Sequence, residues 1–335
     1  MLRIKTIDAH AAGQPCRLIV DGFPPLGGRT ILEQRAVLQK KHDHLRRTLL
    51  LEPRGHRDMC GAVFVEPTTP GSHAGVLFMR HDGYVAVSGH GVIAATTIAL
   101  ERDLIVPGVD PTTIVYDTPA GTVRARAVVE REAGEGPRVH SVAFVNVPSF
   151  VLHAGLAVDA AGRRFRADVA FGGAFYAVVD AESVGLPLDV AHTPELRRAA
   201  AGIRDAIEAV HSIRHPLLTE PSGIEGIVFT GPAHGPEADL RGVTIFGDAA
   251  VDRSPSGAAT SAVMAVLDAM NLLGADRPFV HESLTGTHFT GRVAGRTQVG
   301  DYEAIVPEIE GSAWITGEHT FLLDENDPLK DGFLV

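Results

Sequence analysis

The sequence predicts an α/β protein of two related halves, each a sheet with a buried helix at its centre. Short runs rich in valine, isoleucine and phenylalanine dominate the chain, which is typical of half-buried strands. Gly91–Glu101 and Gly257–Met270 are rich in alanine and valine and carry almost no charge, which predicts two helices buried on nearly all sides. Both helices follow a Ser-Gly pair, and the pairs lie half a chain apart. These observations indicate a weak internal duplication.

The strands are predicted where residues alternate in polarity or are rich in β-branched and aromatic side chains. The predicted strands are Arg3–Ile7, Cys16–Val20, Ala62–Glu66, Gly75–Met79, Thr113–Tyr116, Val139–Val145, Phe175–Val179, Ile227–Thr230, Val243–Phe246 and Glu303–Pro307.

Two further helices are predicted from their start signals. The first begins at Thr30, whose spacing to Glu33 matches a capping box, and runs on through Leu45. The second begins at Thr193 with proline in its first turn, and its apolar stripe extends to Val210.

Composition excludes several classes of protein. The chain has 335 residues, and its net charge of -11 argues against binding to nucleic acid or to an anionic membrane surface. It has no run of apolar residues long enough for a spanning helix. Its two cysteines, Cys16 and Cys60, are too few for a disulfide framework, and Cys60 is expected to be a buried thiol. We therefore expect a soluble, cytoplasmic protein without a metal site.

The two helix starts are the candidate functional site. A serine before a helix is most often an N-cap, and this is the ordinary explanation for Ser88 and Ser256. Two such starts at symmetric positions, however, could together bind a carboxylate through free N–H groups and present a hydroxyl to each face of one carbon. His90 lies within the first start, and Asp252 precedes the second and could pair with an ammonium group.

The two helix starts resemble the signatures of the proline racemase family. That family carries Met-Cys-Gly-His before an alanine-rich helix, and Asp-Arg-Ser-Pro-Cys-Gly-Thr-Gly-Thr-Ser-Ala. This chain has Val87–His90 and Asp252–Ala262 at those places. Similar stretches, such as IDAHAAGQP, GGAFYAVVD and GTHFTGRV, run along its whole length.

The resemblance implies a cofactor-independent enzyme that acts at the Cα of proline or hydroxyproline. It implies a diaminopimelate-epimerase-like fold, in which each of two pseudo-symmetric halves is a curled, mostly antiparallel sheet around a central helix. We place the first half at 1–147, completed by about 315–335, and the second at 148–314. The catalytic residues implied are Ser88 and Ser256, and the substrate-binding residues are Gly89, His90, Asp252, Gly257 and Ala258.

The differences from the family pattern help to rank three candidate functions. Family racemases have cysteine at both catalytic positions, whereas this chain has serine at both, so the resemblance favours a trans-3-hydroxy-L-proline dehydratase that gives Δ1-pyrroline-2-carboxylate. A 4-hydroxyproline 2-epimerase is the second hypothesis, and a non-catalytic proline-binding relative or one with an unrelated substrate is the third. The only partner expected is a small-molecule substrate, and a homodimer is one assembly consistent with the sequence.

Overall fold

The computed structural model describes residues 1–106, 112–130, 136–160, 162–219, 221–247, 249–274 and 277–335. These residues form a mixed α/β structure with extensive sheet and few helices. They divide into two compact units, Met1–Phe144 with Gly311–Val335, and Val145–Glu310. Within the described segments, no helix is long and apolar enough to cross a membrane.

The described residues contain eighteen strands and five α-helices. The strands are β1 (Leu2–Ala11), β2 (Gln14–Asp21), β3 (Cys60–Val65), β4 (Ala74–Arg80), β5 (Tyr84–Val85), β6 (Thr113–Thr118), β7 (Gly121–Glu130), β8 (Arg138–Val145), β9 (Phe150–Ala160), β10 (Arg163–Phe171), β11 (Phe175–Asp180), β12 (Ile224–Gly231), β13 (Leu240–Phe246), β14 (Val251–Asp252), β15 (Phe279–Glu282), β16 (His288–Val299), β17 (Tyr302–Gly311) and β18 (Ala313–Leu323). The helices are α1 (Ile31–Lys41), α2 (Asp43–Leu50), α3 (Gly89–Glu101), α4 (Thr193–Glu208) and α5 (Gly257–Ala269).

The sheet of the first unit runs in the order β18, β1, β2, β3, β4, β6, β7 and β8. Strands β2 and β3 are parallel, as are β4 and β6, while the other neighbours are antiparallel. The short strand β5 pairs antiparallel with β4 and leads directly into α3. This arrangement places the start of α3 beside the middle of the sheet.

The sheet of the second unit runs in the order β9, β10, β11, β12, β13, β15, β16 and β17. Strands β11 and β12 are parallel, as are β13 and β15, while the other neighbours are antiparallel. The short strand β14 pairs antiparallel with β13 and leads into the loop before α5.

The two apolar helices are buried as the sequence predicts. Helix α3 contacts β1, β2, β3, β7 and β18 of its own unit, and its residues from His90 to Leu100 are all buried. Helix α5 contacts β9, β10, β11 and β16, and is buried along most of its length. Helix α4 packs Leu196, Ile203 and Ile207 against β9, β12 and β13.

The predicted strands and helices are confirmed, with two corrections. The predicted helix from Thr30 is two helices, because the backbone at His42 (φ -131°, ψ 13°) leaves the helical region. Its N-terminal cap is confirmed, since the Thr30 hydroxyl accepts a hydrogen bond from the Glu33 N–H. The predicted stripe of α4 extends too far, because the helix ends at Glu208 and Val210, two residues later, is 77% exposed.

Candidate active site

Ser88 is the N-cap of α3. Its backbone is extended (φ -133°, ψ 114°), and its Oγ accepts a hydrogen bond from the Gly91 N–H at 3.2 Å. A side chain at Gly91 would not fit, because its Cβ would lie 2.6 Å from the Phe78 ring and 2.9 Å from Ser88 Oγ. The first turn of α3 is therefore held close against β4.

His90 lies in the same turn and contacts Ser88. Ser88 Oγ is 3.4 Å from Nδ1 of His90 and 3.3 Å from Nε2, within hydrogen-bond distance of either ring nitrogen. His90 is 7% exposed, whereas Ser88 is half-buried. The first helix start therefore contains a serine hydroxyl next to a buried imidazole.

Ser256 is the N-cap of α5 and has a strained backbone. Its φ of 61° with ψ of 122° lies outside the regions that side chains other than glycine ordinarily adopt. Such a conformation costs of order 1–3 kcal/mol and persists only where the surrounding structure holds it. Ser256 is 5% exposed, and its Oγ accepts a long hydrogen bond, 3.5 Å, from the Ala259 N–H.

A chain of hydrogen bonds holds the strained loop before α5. Asp252 Oδ1 accepts hydrogen bonds from the Ser254 N–H at 2.9 Å and from the Ser254 hydroxyl at 2.7 Å. Ser254 Oγ in turn accepts a hydrogen bond from the Ser256 N–H at 3.1 Å. One carboxylate oxygen of the buried Asp252 therefore fixes the backbone of Ser256.

A second contact from the helix side holds the same loop. Thr260 Oγ1 lies 3.1 Å from the Pro255 carbonyl oxygen and 2.8 Å from Nδ1 of His281. His281 is fully buried, and no described residue forms a hydrogen bond with its Nε2. When the Thr260 hydroxyl donates to Pro255, the His281 Nδ1–H donates to Thr260, which satisfies both contacts.

Burial of His281 predicts a pH dependence of stability. Desolvation lowers the pKa of His281 to about 4, so the folded protein keeps this ring neutral while the unfolded chain protonates it below about pH 6.5. The stabilisation is therefore complete above about pH 6.5 and is lost as the pH falls towards 4, to a total on the order of 3 kcal/mol. In urea unfolding, His281→Gln is expected to show a shallower loss of stability across this range than His140→Gln, a control at a half-exposed histidine. Parallel pH dependence in the two variants would contradict this assignment.

Gly172 lets the turn between β10 and β11 pack on the first turns of α5. A Cβ at Gly172 would lie 2.1 Å from the Ala258 carbonyl oxygen and 2.8 Å from the Ala262 backbone nitrogen. The side chain of Asn146 donates hydrogen bonds to the Gly172 carbonyl oxygen at 2.9 Å and to Ser261 Oγ at 2.8 Å. The glycine therefore allows the backbone contact that places α5.

We expect Gly172→Ala to lower the free energy of unfolding by about 3 kcal/mol, because backbone atoms must move apart to admit the methyl group. Gly202→Ala in α4 is the matched control, since a Cβ there meets no atom within 4 Å. That control should raise stability by about 0.5–1 kcal/mol. Urea unfolding of both variants measures the difference, and unchanged stability in Gly172→Ala is the contrary outcome.

Each helix start also offers backbone donors. Among the described residues, the N–H groups of Gly89, Gly257 and Ala258 have no hydrogen-bond partner. Such groups at the positive end of a helix are suited to bind a carboxylate. Each unit thus combines a serine hydroxyl with an anion-binding backbone, which suits acid–base chemistry on a carboxylic acid.

The structure groups the predicted site residues by unit. Those of the first unit lie at the start of α3: Ser88, Gly89 and His90. Those of the second lie at β14 and the start of α5: Asp252, Ser256, Gly257 and Ala258. Ser254, Thr260, His281 and Gly172 were not predicted, although the DRSPS and GGAF stretches that hold Ser254 and Gly172 stood out in the sequence.

One prediction about the thiols is wrong. Cys60 is only partly buried, because it is the first residue of β3, where its Sγ accepts a weak hydrogen bond from Gln14 Nε2 at 3.5 Å. Cys16, its neighbour on β2, is fully buried, and burial raises the pKa of its thiol well above the usual range. Cys16 is therefore an inert core residue.

Comparison with known proteins places these helix starts in a family. A family model described as proline racemase matches residues 6–334. The chain is 42% identical to a trans-3-hydroxy-L-proline dehydratase of Bacillus thuringiensis subsp. konkukian, over 98% of this chain and 97% of that protein. It is 40% identical to a proline racemase of Clostridioides difficile, over 99% of this chain and 98% of that protein.

A solved relative shows the same fold. The crystal structure of a hydroxyproline epimerase from Agrobacterium vitis, with bound trans-4-hydroxy-L-proline, superposes with a TM-score of 0.85 at 30% identity, covering 100% of this chain and 96% of that one. The resemblance inferred from the two serine-capped helix starts is thus confirmed along nearly the whole sequence. The chain is an enzyme of the proline racemase family.

Proposed function

We propose that this enzyme dehydrates trans-3-hydroxy-L-proline to Δ1-pyrroline-2-carboxylate. The observation that carries the proposal is the chemistry of Ser256. Among the described residues, the only hydrogen-bond partner of its Oγ is the Ala259 N–H, which is a donor. A hydroxyl with a donor as its partner has no group to take its proton, so Ser256 can act as an acid but not as a base.

An active site with a base on only one face of the substrate favours elimination over inversion at Cα. Epimerisation requires a base on one face and an acid on the other, and the two must exchange roles for the reverse reaction. A thiol can do both, because its pKa of about 8.5 falls further at a helix N-terminus. Elimination of the 3-hydroxyl requires only one base and one acid, which a pair of serines can provide if one of them is activated.

The proposed steps conserve both protons and electron pairs. Ser88 gives its hydroxyl proton to solvent and takes the Cα proton in its place, the C3–O bond breaks, and the electron pair of the Cα–H bond forms a Cα–C3 double bond. The departing hydroxide takes a proton from Ser256 and leaves as water, and Ser256 regains a proton from solvent. The resulting enamine shifts its N–H proton to C3 and becomes the Δ1 imine.

The remaining predicted residues bind the substrate in this proposal. Backbone N–H groups of Gly89, His90, Gly257 and Ala258 hold the carboxylate. Asp252 holds the ring ammonium. Its Oδ1 already accepts two hydrogen bonds from Ser254, and a carboxylate can accept further hydrogen bonds besides these.

The relatives support this reaction and one alternative. The dehydratase of B. thuringiensis is 42% identical to the chain, which favours the same activity. The bound trans-4-hydroxy-L-proline in the A. vitis epimerase favours 4-hydroxyproline 2-epimerisation as the second candidate. Both reactions begin with removal of the Cα proton, and they differ in the fate of the carbanion.

The test is a panel of L-proline and its 3- and 4-hydroxy isomers, with the imine trapped by o-aminobenzaldehyde. The proposal predicts imine from trans-3-hydroxy-L-proline and none from either 4-hydroxy isomer, which lack a leaving group at C3. Inversion of a 4-hydroxyproline without any imine would replace the dehydratase by the epimerase. Ser183→Cys changes a residue outside both helix starts. It should give the same products as the natural enzyme and so serves as the control.

We also propose that the fold consists of two pseudo-symmetric halves and that the enzyme acts in the cytoplasm. The two units repeat one order of parallel and antiparallel strand pairs, with a short strand before each central helix, which supports pseudo-symmetric halves of the diaminopimelate-epimerase type. The two free thiols support action in the reducing cytoplasm. The proposal also includes a small-molecule substrate and no cofactor.

A further inference from the structure

We propose that Thr260 and His281 are positioning residues, which hold the Ser256 hydroxyl where it protonates the leaving group. The inference rests on the proposed role of Ser256 as the acid, and it names what keeps that acid in place. Ser256 needs such support because its own cap bond is weak: the hydrogen bond from the Ala259 N–H to its Oγ is 3.5 Å long. The direction of the hydroxyl therefore follows from the strained backbone of Ser256.

The peptide bond between Pro255 and Ser256 is held at both of its polar groups. Its N–H donates to Ser254 Oγ at 3.1 Å, and its carbonyl oxygen accepts a hydrogen bond from the Thr260 hydroxyl at 3.1 Å. A rotation of this peptide plane would change φ of Ser256 and break both bonds. The two bonds therefore fix the torsion that sets the direction of the Ser256 side chain, and they offset the cost of its positive φ.

The bond from Thr260 differs from the ordinary one made by a threonine in a helix. Such a hydroxyl commonly donates to the carbonyl four residues earlier, as Thr97 does to Ile93 in α3. Thr260 instead reaches the carbonyl five residues earlier, which lies in the loop before α5. Four residues after the cap of α3 the chain has Val92, and the cap Ser88 has a relaxed, extended backbone. The threonine is thus present at the helix start whose serine is strained.

His281 sets the position of the Thr260 hydroxyl. Because the hydrogen of that hydroxyl is directed to Pro255, the 2.8 Å contact with Nδ1 of His281 requires an Nδ1–H that donates. Nε2 then carries no hydrogen, which fits its surroundings, since no described residue forms a hydrogen bond with it. Nε2 lies against Gly242 of β13, where a Cβ would be only 2.5 Å away, so the ring is tightly packed and its donor stays directed at Thr260.

Burial separates these two residues from the groups that contact substrate. The side chains of Thr260 and His281 are fully buried, so neither touches the substrate. Asp252 and Ser254 hold the N–H side of the same peptide bond, but Asp252 is also the proposed partner of the ring ammonium. A change at Asp252 would therefore disturb binding as well, whereas a change at Thr260 tests the position of Ser256 by itself.

The first test compares Thr260→Val, which removes the hydroxyl at nearly constant shape, with Thr260→Ser, which keeps it. Thr97→Val is the matched control, because it removes an equally buried hydroxyl from α3 and leaves the loop before α5 unchanged. Imine formation from trans-3-hydroxy-L-proline gives kcat and KM, and titration with pyrrole-2-carboxylate gives the concentration of binding sites. A loss of stability alone leaves kcat per binding site unchanged.

We expect Thr260→Val to lower kcat per binding site by about 10- to 100-fold, because a small displacement of a catalytic group is costly. KM should change by less than about threefold, since the groups assigned to the carboxylate and the ammonium are all kept. Thr260→Ser should recover most of the loss, and Thr97→Val should match the natural enzyme. Equal values of kcat in Thr260→Val and Thr97→Val would overturn the inference.

A second readout needs no turnover and uses the thiol of Ser256→Cys. The ultraviolet absorbance of the thiolate, taken as a difference from the enzyme with Ser256, gives the pKa of this thiol. Adding Thr260→Val should raise that pKa by about one unit or more, because the thiol moves away from the N-terminus of α5. Adding Thr97→Val should leave it unchanged. A thiol pKa that is the same with and without Thr260→Val would overturn the inference.

Two changes at His281 test the other end of this hydrogen-bond chain, and they replace Thr260→Val if that variant does not fold. His281→Asn places an amide nitrogen close to the position of Nδ1, whereas His281→Gln places it close to that of Nε2. The thiol pKa in Ser256→Cys should therefore rise less with His281→Asn than with His281→Gln. An equal rise in both variants, or the reverse order, would contradict the donor role of Nδ1.

The two readouts separate this inference from the proposed reaction. If the thiol pKa depends on Thr260 but the natural enzyme forms no imine, the dehydratase proposal fails while the positioning role of Thr260 stands. If imine forms and neither kcat nor the thiol pKa depends on Thr260, the positioning role fails and the dehydratase proposal stands.

Discussion

Replacing Ser88 by alanine is expected to abolish removal of the Cα proton from the L-substrate. Ser88 is the proposed base at the start of α3, and alanine there has no side-chain oxygen that could take the proton. Loss of the hydroxyl should lower turnover by about 10³-fold, while the N–H groups of Gly89 and its neighbours remain in place to bind the carboxylate. Proton NMR of the substrate in deuterated water, with pyrrole-2-carboxylate binding as the check on folding, measures both effects.

A matched change at a partly buried serine outside both helix starts isolates this effect. Ser183→Ala removes a hydroxyl that bonds only to the Asp180 carbonyl oxygen in the described structure, so its turnover should equal that of the unmodified enzyme. Retention of full activity in Ser88→Ala would remove Ser88 from the mechanism.

Replacing Ser256 by cysteine is expected to add an epimerase activity. The new thiol would occupy the N-cap of α5, where the helix terminus lowers its pKa towards neutrality and lets it act as either acid or base. A 4-hydroxyproline has no leaving group at C3, so its carbanion could then be protonated on the opposite face. We expect inverted, Cα-deuterated product at about 10² times the rate of the unmodified enzyme.

Two variants control the Ser256→Cys experiment. Ser183→Cys introduces the same thiol outside the helix start and should give no inversion. Combining Ser256→Cys with Ser88→Ala should eliminate reaction of the L-isomer, because the first base is gone. If Ser256→Cys inverts no more 4-hydroxyproline than Ser183→Cys does, position 256 does not supply the second acid–base group.

The buried elements and both helix starts could be predicted from the sequence, because their patterns are local. Uncharged alanine-rich stretches after Ser-Gly indicated α3 and α5, and valine-rich runs indicated the inner strands. The prediction missed the long strands β7, β9, β10, β16 and β18 and the short strands β5, β14 and β15. Most residues of β7, β9, β16 and β18 are exposed or only partly buried, and alanine or glycine interrupts their valine and phenylalanine, which weakens the alternation. The break at His42 was missed because it contains neither glycine nor proline.

The residues of the site were predictable, but their interactions were not. The positive φ of Ser256 arises from bonds through Asp252 and Ser254, a tertiary restraint that residue type does not encode. His281 reaches Thr260 from a strand that comes later in the sequence, so no local spacing reveals the contact. The contact of Ser88 with His90 depends on a rotamer at the helix cap, although both residues stood in the predicted motif.

The central claim is that one activated serine, with an acid but no second base, directs this enzyme to elimination. Its most direct test is the reaction of the unmodified enzyme with trans-3-hydroxy-L-proline in deuterated water, monitored by proton NMR. The account predicts that imine accumulates while any hydroxyproline that remains keeps its configuration at Cα. Accumulation of inverted, Cα-deuterated 3-hydroxyproline in place of the imine would contradict it.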